Sequence, residues 1–291
     1  MRIRLTLAYD GTDFEGWQLQ AGAVRKGGVP PRTVQGVLEA ALARLAGEQR
    51  IKVVGAGRTD TGVHALGQVA SFDLPREMAP EALVRALNGL LPHDVRALEA
   101  ALAPEGFDAR RAAVSKLYRY VLDTGPVQLP SRRRLAGHVP WTLDRARVQE
   151  VAAWYLGRHD FASLASSGGS VSTTVRTIAR SEARFDDAVL TYEVEADGFL
   201  RKMVRSLVGG LIAVGRGTIG LADLALALAA CSTTPSSPMS SDRTELARRY
   251  AKMLAVPGVL EASFKAYIDE IRTRFPTYAE NCRYDPNPAN C

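Results

Sequence analysis

One acidic residue stands out for its surroundings: Asp60, in the stretch GAGRTDTGVHALGQVASFD at residues 55–73. It follows an apolar run and lies between Arg58 and a Thr-Gly turn, where a strand gives way to a glycine-rich loop. A lone aspartate in a loop commonly accepts hydrogen bonds from the backbone N–H groups of an Asx turn. The density of polar groups around it exceeds what a turn requires, which favours a chemical role; its neighbours are Thr59, Gly62, His64 and Gln68.

Two stretches in the second half of the chain carry groups that could work with this carboxylate. KLYRY contains the aromatic pair Tyr118 and Tyr120, and GFLRKMVR ends in Arg205, inside an apolar stripe. A guanidinium that borders an apolar stripe needs an anionic partner, because burial removes its hydration. Both tyrosines fall on the same face of a strand, so the alternation of the strand does not show which of them has a functional role.

Nucleotide-binding loops are the first alternative for the stretch around Asp60. IKVVGAGRTD looks like a strand entering a G-x-G-x-x-G turn, but the sixth position is Asp60, whose charge would repel a pyrophosphate. The following LGQVASFD has the alternation of a strand, where a helix N-terminus is needed. No G-K-[ST] follows either, so the sequence excludes both a dinucleotide-binding loop and a P-loop.

Composition and charge are those of a globular protein with a possible polyanionic partner. The 291 residues are 46% hydrophobic and 23% charged, with a net charge of +6 and a pI near 9.4. Basic side chains favour nucleic acids because neutralised phosphates release counterions, although an ordinary surface explains +6 almost as well. MRIRLTLAYD lacks the apolar core of a signal peptide, and the longest apolar run, 207–215, is too short to span a bilayer. We expect a cytoplasmic protein with no membrane partner.

Cysteine and histidine usage points away from metal chemistry. The three cysteines lie late in the chain without a C-x-x-C pair, and the four histidines lack the spacing of metal ligands. We therefore expect neither a disulfide framework nor a metal site.

Hydrophobic periodicity in the first half predicts a β-α-β-β-α-β order, which is that of a ferredoxin-like unit. A half-buried strand covers residues 3–9. The following helix extends from 34 to 45, with Thr33 as its cap and Gly47 as its stop. The remaining elements are strands at 51–54, 66–73 and 94–102 and a helix at 80–91.

The second half of the chain has a related order of predicted strands and helices. The predicted elements are a strand at 112–123, a helix at 144–156, a hairpin through 186–187 and a helix at 199–214. Two such units could join edge to edge around a substrate cleft. We therefore predict an α/β (α+β) fold with an N-terminal half at 1–106 that carries the Asp60 loop and a C-terminal half at 107–231. After about residue 231 the composition becomes rich in Ser, Pro and Thr. This change predicts an atypical tail at 232–291, disordered or loosely attached, with a helical stretch near 242–254.

Six motifs in order make the chain similar to a known family. YDGTDFEGWQ, GAGRTDTGVHALGQVASF, FDAR, KLYRY, DFASL and DGFLRKMVRSLVG resemble the tRNA pseudouridine synthase A family over about residues 3–218. The G-R-T-D-x-G-V-H signature is highly specific. This chain departs from the family in one feature. The family ends with a strand of the type G-L-x-L-x-x-V-x-Y, to which PGVLEASFKAYI at 257–268 of this chain is only a poor match.

The resemblance implies a fold, a reaction and an assembly. The fold would be the pseudouridine synthase fold, with two ferredoxin-like halves joined in one mostly antiparallel sheet around a central cleft. The reaction would isomerise uridine to pseudouridine at positions 38, 39 and 40 of the tRNA anticodon stem-loop, without a cofactor. The family acts as a homodimer in which each tRNA contacts both subunits.

The resemblance also implies roles for individual residues. Asp60 would be the catalytic nucleophile and Arg205 its ion-pair partner, while Arg58 would support Asp60 or bind phosphate. Tyr118 would contact the uracil, which must first leave the base stack. Three routes remain open for the carboxylate: attack on the ribose C1′, addition to the uracil ring, or removal of a sugar proton.

Further substrate and RNA contacts are expected near these groups. Thr59, Gly62, His64, Gln68, Phe14 and Trp17 are candidate substrate-binding residues. His64 fits a loop hydrogen bond better than a general base, and Trp17 fits a packed anchor. Basic loops at 25–32 and 130–134 are expected to hold phosphates, which positions RNA without reading its sequence; their residues are Arg25, Lys26, Arg32, Arg132, Arg133 and Arg134.

Two other functions stay open at this point. A tRNA-binding protein that has kept the fold without catalysis is the chief rival, although intact Asp60, Tyr118 and Arg205 oppose it. A glycoside hydrolase would need a second carboxylate beside Asp60. Glu39 and Glu81 are both expected on helix surfaces, so the hydrolase ranks low.

Overall fold

Two structural units divide the chain: Met1–Lys116 together with Tyr267–Cys291, and Leu117–Ala266. A computed structural model describes residues 1–20, 28–165, 172–229 and 266–273. Both units combine helices with β-sheet, which confirms the predicted α+β class. Within the described residues, no helix has the length and apolar character needed to cross a membrane.

The first unit has the predicted β-α-β-β-α-β order. Its elements are β1 (Arg2–Tyr9), α1 (Val34–Leu45), β2 (Val54–Gly55), β3 (His64–Asp73), α2 (Pro80–Leu90) and β4 (Val95–Leu102), followed by the short α3 (Ala109–Ala112). Strand β1 lies between β4 and β3, antiparallel to both, and β2 pairs antiparallel with β3. The resulting order, β4-β1-β3-β2, is that of a ferredoxin-like unit.

Local sequence signals explain the ends of these elements. Thr33 caps α1 by accepting the Gly36 N–H at 3.2 Å, and Gly47 follows the helix with a φ of +67°, a conformation that glycine adopts without strain. Pro80 occupies the first turn of α2, where its missing N–H costs nothing. Every second side chain of β1 is buried, which places Ile3, Leu5 and Leu7 in the core of this unit.

Two strand predictions were wrong at their ends. Of the predicted 51–54 strand, only Val54 joins the sheet, and β2 continues one residue further to Gly55, while Ile51 and Val53 are buried outside any ladder. Strand β3 begins at His64, two residues earlier than predicted, because its N-terminal end continues to pair with Tyr9 after an irregularity in the β1 ladder.

The second unit contains most of β5 (Ala113–Asp123), β6 (Gly137–His138), α4 (Arg145–Trp154), β7 (Gly157–Asp160), β8 (Val175–Asp186), β9 (Val189–Ala196), α5 (Met203–Gly215) and α6 (Leu221–Ala229). Strands β7, β8 and β9 form antiparallel pairs, and the predicted hairpin turns at Asp187, whose φ is +50°. Helix α4 packs on α5. A Cβ on Gly215 of α5 would lie 2.6 Å from the Val148 side chain of α4, so a larger residue there would force the helices to shift.

Helix α5 starts later than its apolar stripe indicates. The stripe predicts a helix from residue 199, but the helix begins at Met203, immediately after Lys202 in the left-handed conformation with a φ of +62°. The left-handed residue interrupts helical geometry, so Phe199 and Leu200 precede the helix while still continuing its apolar stripe.

The tail contributes one described element, β10 (Ala266–Thr273). It pairs in parallel with the start of β3, with Tyr267 opposite His64 and Ile268 opposite Ala65. The sequence did not predict this strand. The predicted helical stretch near 242–254 lies outside the described residues.

Candidate active site

Asp60 lies in a tight turn between β2 and β3. The Val63 N–H donates to the Asp60 carbonyl oxygen at 3.2 Å, and Gly62 supplies a φ of +77°. The side chains of Arg58 and Asp60 are exposed, whereas Thr59 between them is buried. The turn therefore presents one carboxylate and one guanidinium to an incoming ligand.

The YDGTDFEGWQ segment packs backbone to backbone against this turn. Trp17 donates its N–H to the Thr59 carbonyl at 3.0 Å, and Gly62 donates to the Phe14 carbonyl at 3.2 Å. A Cβ on Gly11 would lie 2.0 Å from the Val63 oxygen, and one on Gly16 would lie 2.5 Å from the Thr59 oxygen. These two glycines are required because the two segments approach too closely for any side chain.

A buried network of hydroxyl and amide groups lies beneath the turn. The Tyr9 hydroxyl is 3.0 Å from the Thr59 hydroxyl, and Gln68 Nε2 donates to the Tyr9 oxygen at 3.4 Å and to the Gly57 carbonyl at 2.9 Å. Burial raises the pKa of Tyr9 to about 12, with its two hydrogen bonds acting in the opposite direction. The phenol therefore stays protonated at neutral pH.

His64 is buried and belongs to the same scaffold. Its Nδ1 lies 3.1 Å from Asp10 Oδ1 and 3.3 Å from the Gly11 nitrogen, which donates to it. Asp10 also accepts from the backbone N–H and hydroxyl of Thr12, at 2.9 and 2.6 Å. These contacts support the expectation that His64 is a loop hydrogen-bonder.

The aromatic candidates of the first unit are not available to a substrate in this structure. Phe14 is 1% exposed and Trp17 is 2% exposed. The Trp17 ring fills the space that a side chain on Gly55 would occupy, and the Arg32 guanidinium covers the Phe14 ring at 4.0 Å. Because both rings are packed, we reassign Phe14 and Trp17 from substrate contact to support of the turn.

Arg32 is likewise held in place. Its two terminal nitrogens lie 2.8 and 3.0 Å from the carboxylate oxygens of Asp94, and this hydrogen-bonded pair raises the pKa of Arg32. A guanidinium that is paired with a carboxylate and stacked on a ring has fewer N–H donors left for a phosphate than an unpaired guanidinium has. Arg25 and Lys26 lie outside the described residues.

Glu39 is buried, which corrects its expected position on the surface of helix α1. Its carboxylate accepts Gln35 Nε2 at 2.8 Å and the Val53 N–H at 3.1 Å. The Gln35 side-chain oxygen Oε1 in turn accepts the Leu19 N–H at 2.9 Å. Gln35 and Glu39 thus hold both the residue that precedes β2 and the segment after Trp17. Glu81 is exposed on α2, as predicted.

The candidates of the second unit come from two motifs that lie close together. Tyr118 on β5 is 9% exposed and meets Phe199 edge to face, with ring centroids 5.0 Å apart. Burial raises the pKa of the neighbouring Tyr120 to about 12, and the positive charge of Arg205 acts in the opposite direction. The structure therefore brings KLYRY and GFLRKMVR together within one unit. The pairing of Arg205 with Asp60 stays a prediction.

The basic loop at 130–134 is exposed. Arg132 is anchored by buried Asp123, whose carboxylate lies 3.4 Å from a guanidinium nitrogen. The side chains of Arg133 and Arg134 are exposed. Large apolar side chains also protrude from this part of the chain, Val127 with 77% exposure and Leu129 with 54%.

Comparison with known proteins settles the family. The family described as tRNA pseudouridine synthase matches residues 6–110 and 151–248. This chain belongs to the tRNA pseudouridine synthase family. The tRNA pseudouridine synthase A of Solidesulfovibrio magneticus is 47% identical over 79% of this chain and 83% of its own length. Those of Methylacidiphilum infernorum and Latilactobacillus sakei are 45% and 42% identical, over 76% and 74% of this chain and 84% of their own lengths.

Solved structures give a much weaker likeness. One chain of a Cbf5-Nop10-Gar1 complex matches 72% of this chain and 54% of its own length, with 10% identity and a TM-score of 0.30. No statement about fold or function rests on that match.

Family membership makes the Asp60 turn the candidate active site of an isomerase. Among the described residues, no group of three or more histidine, cysteine, aspartate or glutamate side chains could hold a metal ion. The supporting residues that sequence reasoning missed are Tyr9, Gln35 and Glu39. Tyr9 is the first residue of the motif YDGTDFEGWQ, which was its only indication in the sequence. No sequence pattern connected Tyr9 to Thr59.

Proposed function

We propose that this tRNA pseudouridine synthase converts uridine to pseudouridine at positions 38, 39 and 40 of the anticodon stem-loop. The observation that carries the proposal is the exposed Asp60 carboxylate, on the family's G-R-T-D-x-G-V-H motif, held by a turn whose backbone is fixed on both sides. The net charge of +6 is suited to an RNA substrate.

In this proposal, Asp60 is the reacting carboxylate and Arg205 stabilises its charge. Arg58 lies beside Asp60 on the exposed side of the turn and supports Asp60 or binds an RNA phosphate. Tyr118 contacts the uracil after the base has left the stack, and Phe199 packs against the Tyr118 ring in an edge-to-face contact. Arg133 and Arg134 contact the RNA backbone.

The proposed assembly is a cytoplasmic homodimer in which each tRNA contacts both subunits. Light scattering coupled to size-exclusion chromatography measures the mass of the particle directly. A mass of one chain at micromolar concentration would contradict the dimer and leave the chemistry untouched.

Release of hydrogen from uracil C5 tests the reaction. The C1′–N1 bond breaks and a C1′–C5 bond forms; the hydrogen on C5 leaves to water and N1 takes up a proton, so the nucleotide keeps its composition. We expect tRNA tritiated at uracil C5 to release label in proportion to the sites modified, without added metal or nucleotide.

Two other outcomes would contradict the proposal. Free labelled uracil would indicate a hydrolase, and binding without release would indicate a non-catalytic binding protein. A tRNA in which cytidine replaces the uridines at 38, 39 and 40 serves as the control. Continued release from that tRNA would contradict the assignment of the sites.

A further inference from the structure

The residue that precedes Asp60 is fixed through both its backbone and its side chain. The Thr59 carbonyl accepts the Trp17 N–H at 3.0 Å, and the Thr59 hydroxyl lies 3.0 Å from the Tyr9 hydroxyl. Thr59 is 6% exposed and Tyr9 is 4% exposed, so water does not compete freely for either group.

The Gln68 amide ties the Tyr9 hydroxyl to the segment that leads to Asp60. Gln68 Nε2 can only donate, and it lies 3.4 Å from the Tyr9 oxygen, which accepts. In the bond between the Tyr9 and Thr59 hydroxyl groups, either oxygen can donate, and loss of the phenol removes the bond in both cases. The same Gln68 amide donates to the Gly57 carbonyl at 2.9 Å, so the network holds two residues of the segment that leads to Asp60. The raised pKa of Tyr9 keeps the proton in place.

Asp60 itself is held differently. Its side chain is exposed, and within the described part of its unit no side chain forms a hydrogen bond or ion pair with its carboxylate. Its direction therefore depends on the backbone of Thr59 on one side and of the 60–63 turn on the other.

We propose that Tyr9 is a positioning residue for the isomerisation: its buried hydroxyl acts through Thr59 to fix the direction of the Asp60 carboxylate. This inference rests on the proposed function, in which Asp60 is the reacting group. Displacement of a reacting group by about 1 Å can cost roughly a hundredfold in rate, so one hydrogen bond beneath the turn has a large effect on turnover.

Tyr9→Phe removes the hydroxyl and keeps the ring. We expect kcat to fall by about tenfold or more, with KM and the Kd for tRNA nearly unchanged, because no group that binds RNA is altered. Tyr192→Phe is the matched control, since it removes a buried tyrosine hydroxyl that lies 2.9 Å from the Ser181 hydroxyl in the other unit. It should lower thermal stability to a similar extent and leave kcat unchanged.

Thr59→Val removes the same hydrogen bond from its other side. If Tyr9 acts through Thr59, the double variant should be no slower than the slower single variant. Independent losses that multiply would overturn the proposal, as would an equal fall of kcat in the Tyr192 control.

Amide hydrogen exchange across residues 57–63 tests the positioning without measuring turnover. We expect faster exchange in Tyr9→Phe and unchanged exchange in Tyr192→Phe. Wild-type exchange together with wild-type kcat in Tyr9→Phe would overturn the role of Tyr9. Failure of the wild-type protein to release tritium would instead contradict the proposed function, and the exchange experiment would still decide whether Tyr9 orders the turn.

Discussion

Asp60 is an exposed carboxylate on a rigid support. The groups that fix it are backbone atoms of Thr59 and Val63, while the buried side chains beneath them, Tyr9 and Gln68, never reach the surface. The carboxylate is exposed to an incoming substrate, and the entropy of ordering the turn is lost on folding and not on substrate binding.

Asp60→Asn separates chemistry from binding. The amide keeps the size of the side chain but loses its negative charge and its nucleophilicity. We expect tritium release to fall below detection while the Kd for tRNA stays within severalfold, measured by release assay and filter binding. Glu81→Gln changes the same functional group at an exposed position of α2 and should leave both quantities unchanged. Substantial turnover by Asp60→Asn would remove Asp60 from the chemistry.

At the scale of elements, the 10–17 segment acts as a backbone brace for the turn. Its aromatic rings, Phe14 and Trp17, are packed inward. Its two close glycine contacts fix the distance between the brace and the turn.

Gly11→Ala tests this brace without a change of backbone preference, since Gly11 does not have a positive φ. Its Cβ would meet the Val63 oxygen at 2.0 Å, so the two segments must separate. We expect a loss of about 1–3 kcal/mol of stability together with a strong loss of turnover.

Gly89→Ala is the control for the brace, because it lies in helix α2 and nothing stands within 4 Å of its Cβ. It should stabilise the protein by about 0.5–1 kcal/mol. Both changes are measured by urea unfolding. Equal stability of the two variants would show that the brace tolerates displacement.

For the whole molecule, electrostatic attraction to RNA predicts a measurable salt dependence. Arg133 is exposed on the 130–134 loop, so Arg133→Ala should weaken tRNA binding and reduce the slope of log K against log salt by about 0.7–0.9. Arg85→Ala on exposed helix α2 makes the same change of net charge and should leave the slope unchanged. Equal slopes for the two variants would place Arg133 outside the RNA interface.

Buried phenols predict a loss of stability in alkaline solution. Burial raises the pKa of Tyr9 and Tyr120 to about 12, and it also raises that of Tyr192. Above the ordinary pKa of about 10, the unfolded chain releases these protons while the folded protein retains them. Stability is therefore fully present below about pH 10 and falls as the pH rises toward 12, by about 1.4 kcal/mol per pH unit for each phenol.

Urea unfolding at stepped pH measures this fall. Tyr192→Phe should make the decline shallower by the contribution of one phenol. A stability that is flat between pH 10 and 12 would contradict the burial of these hydroxyl groups.

What the sequence could predict depended on whether the signal was local. The helix from Val34 to Leu45 has its apolar period, cap and stop within one stretch, and the structure confirms it. The contact between Tyr9 and Thr59 joins residues 50 positions apart and has no period. Glu39 has the character of a surface residue, but the Gln35 amide and the Val53 N–H satisfy its carboxylate inside the fold. Hydrophobic periodicity does not reveal tertiary partners of this kind.

Strand β3 has one long partner and two short ones, and this arrangement bears on biosynthesis. One edge pairs with β1, and the other edge pairs with β2 near Ala70 and with β10 at His64 and Ala65. A ribosome adding about 5–20 residues per second needs on the order of 10–40 s to proceed from His64 to Tyr267. Throughout that interval the β3 edge beside the Asp60 turn has no β10 to pair with, and an open strand edge invites pairing with other chains. Ribosome-bound chains halted before Ala266 should therefore be more prone to aggregation and more sensitive to protease near His64 than full-length chains released from the ribosome.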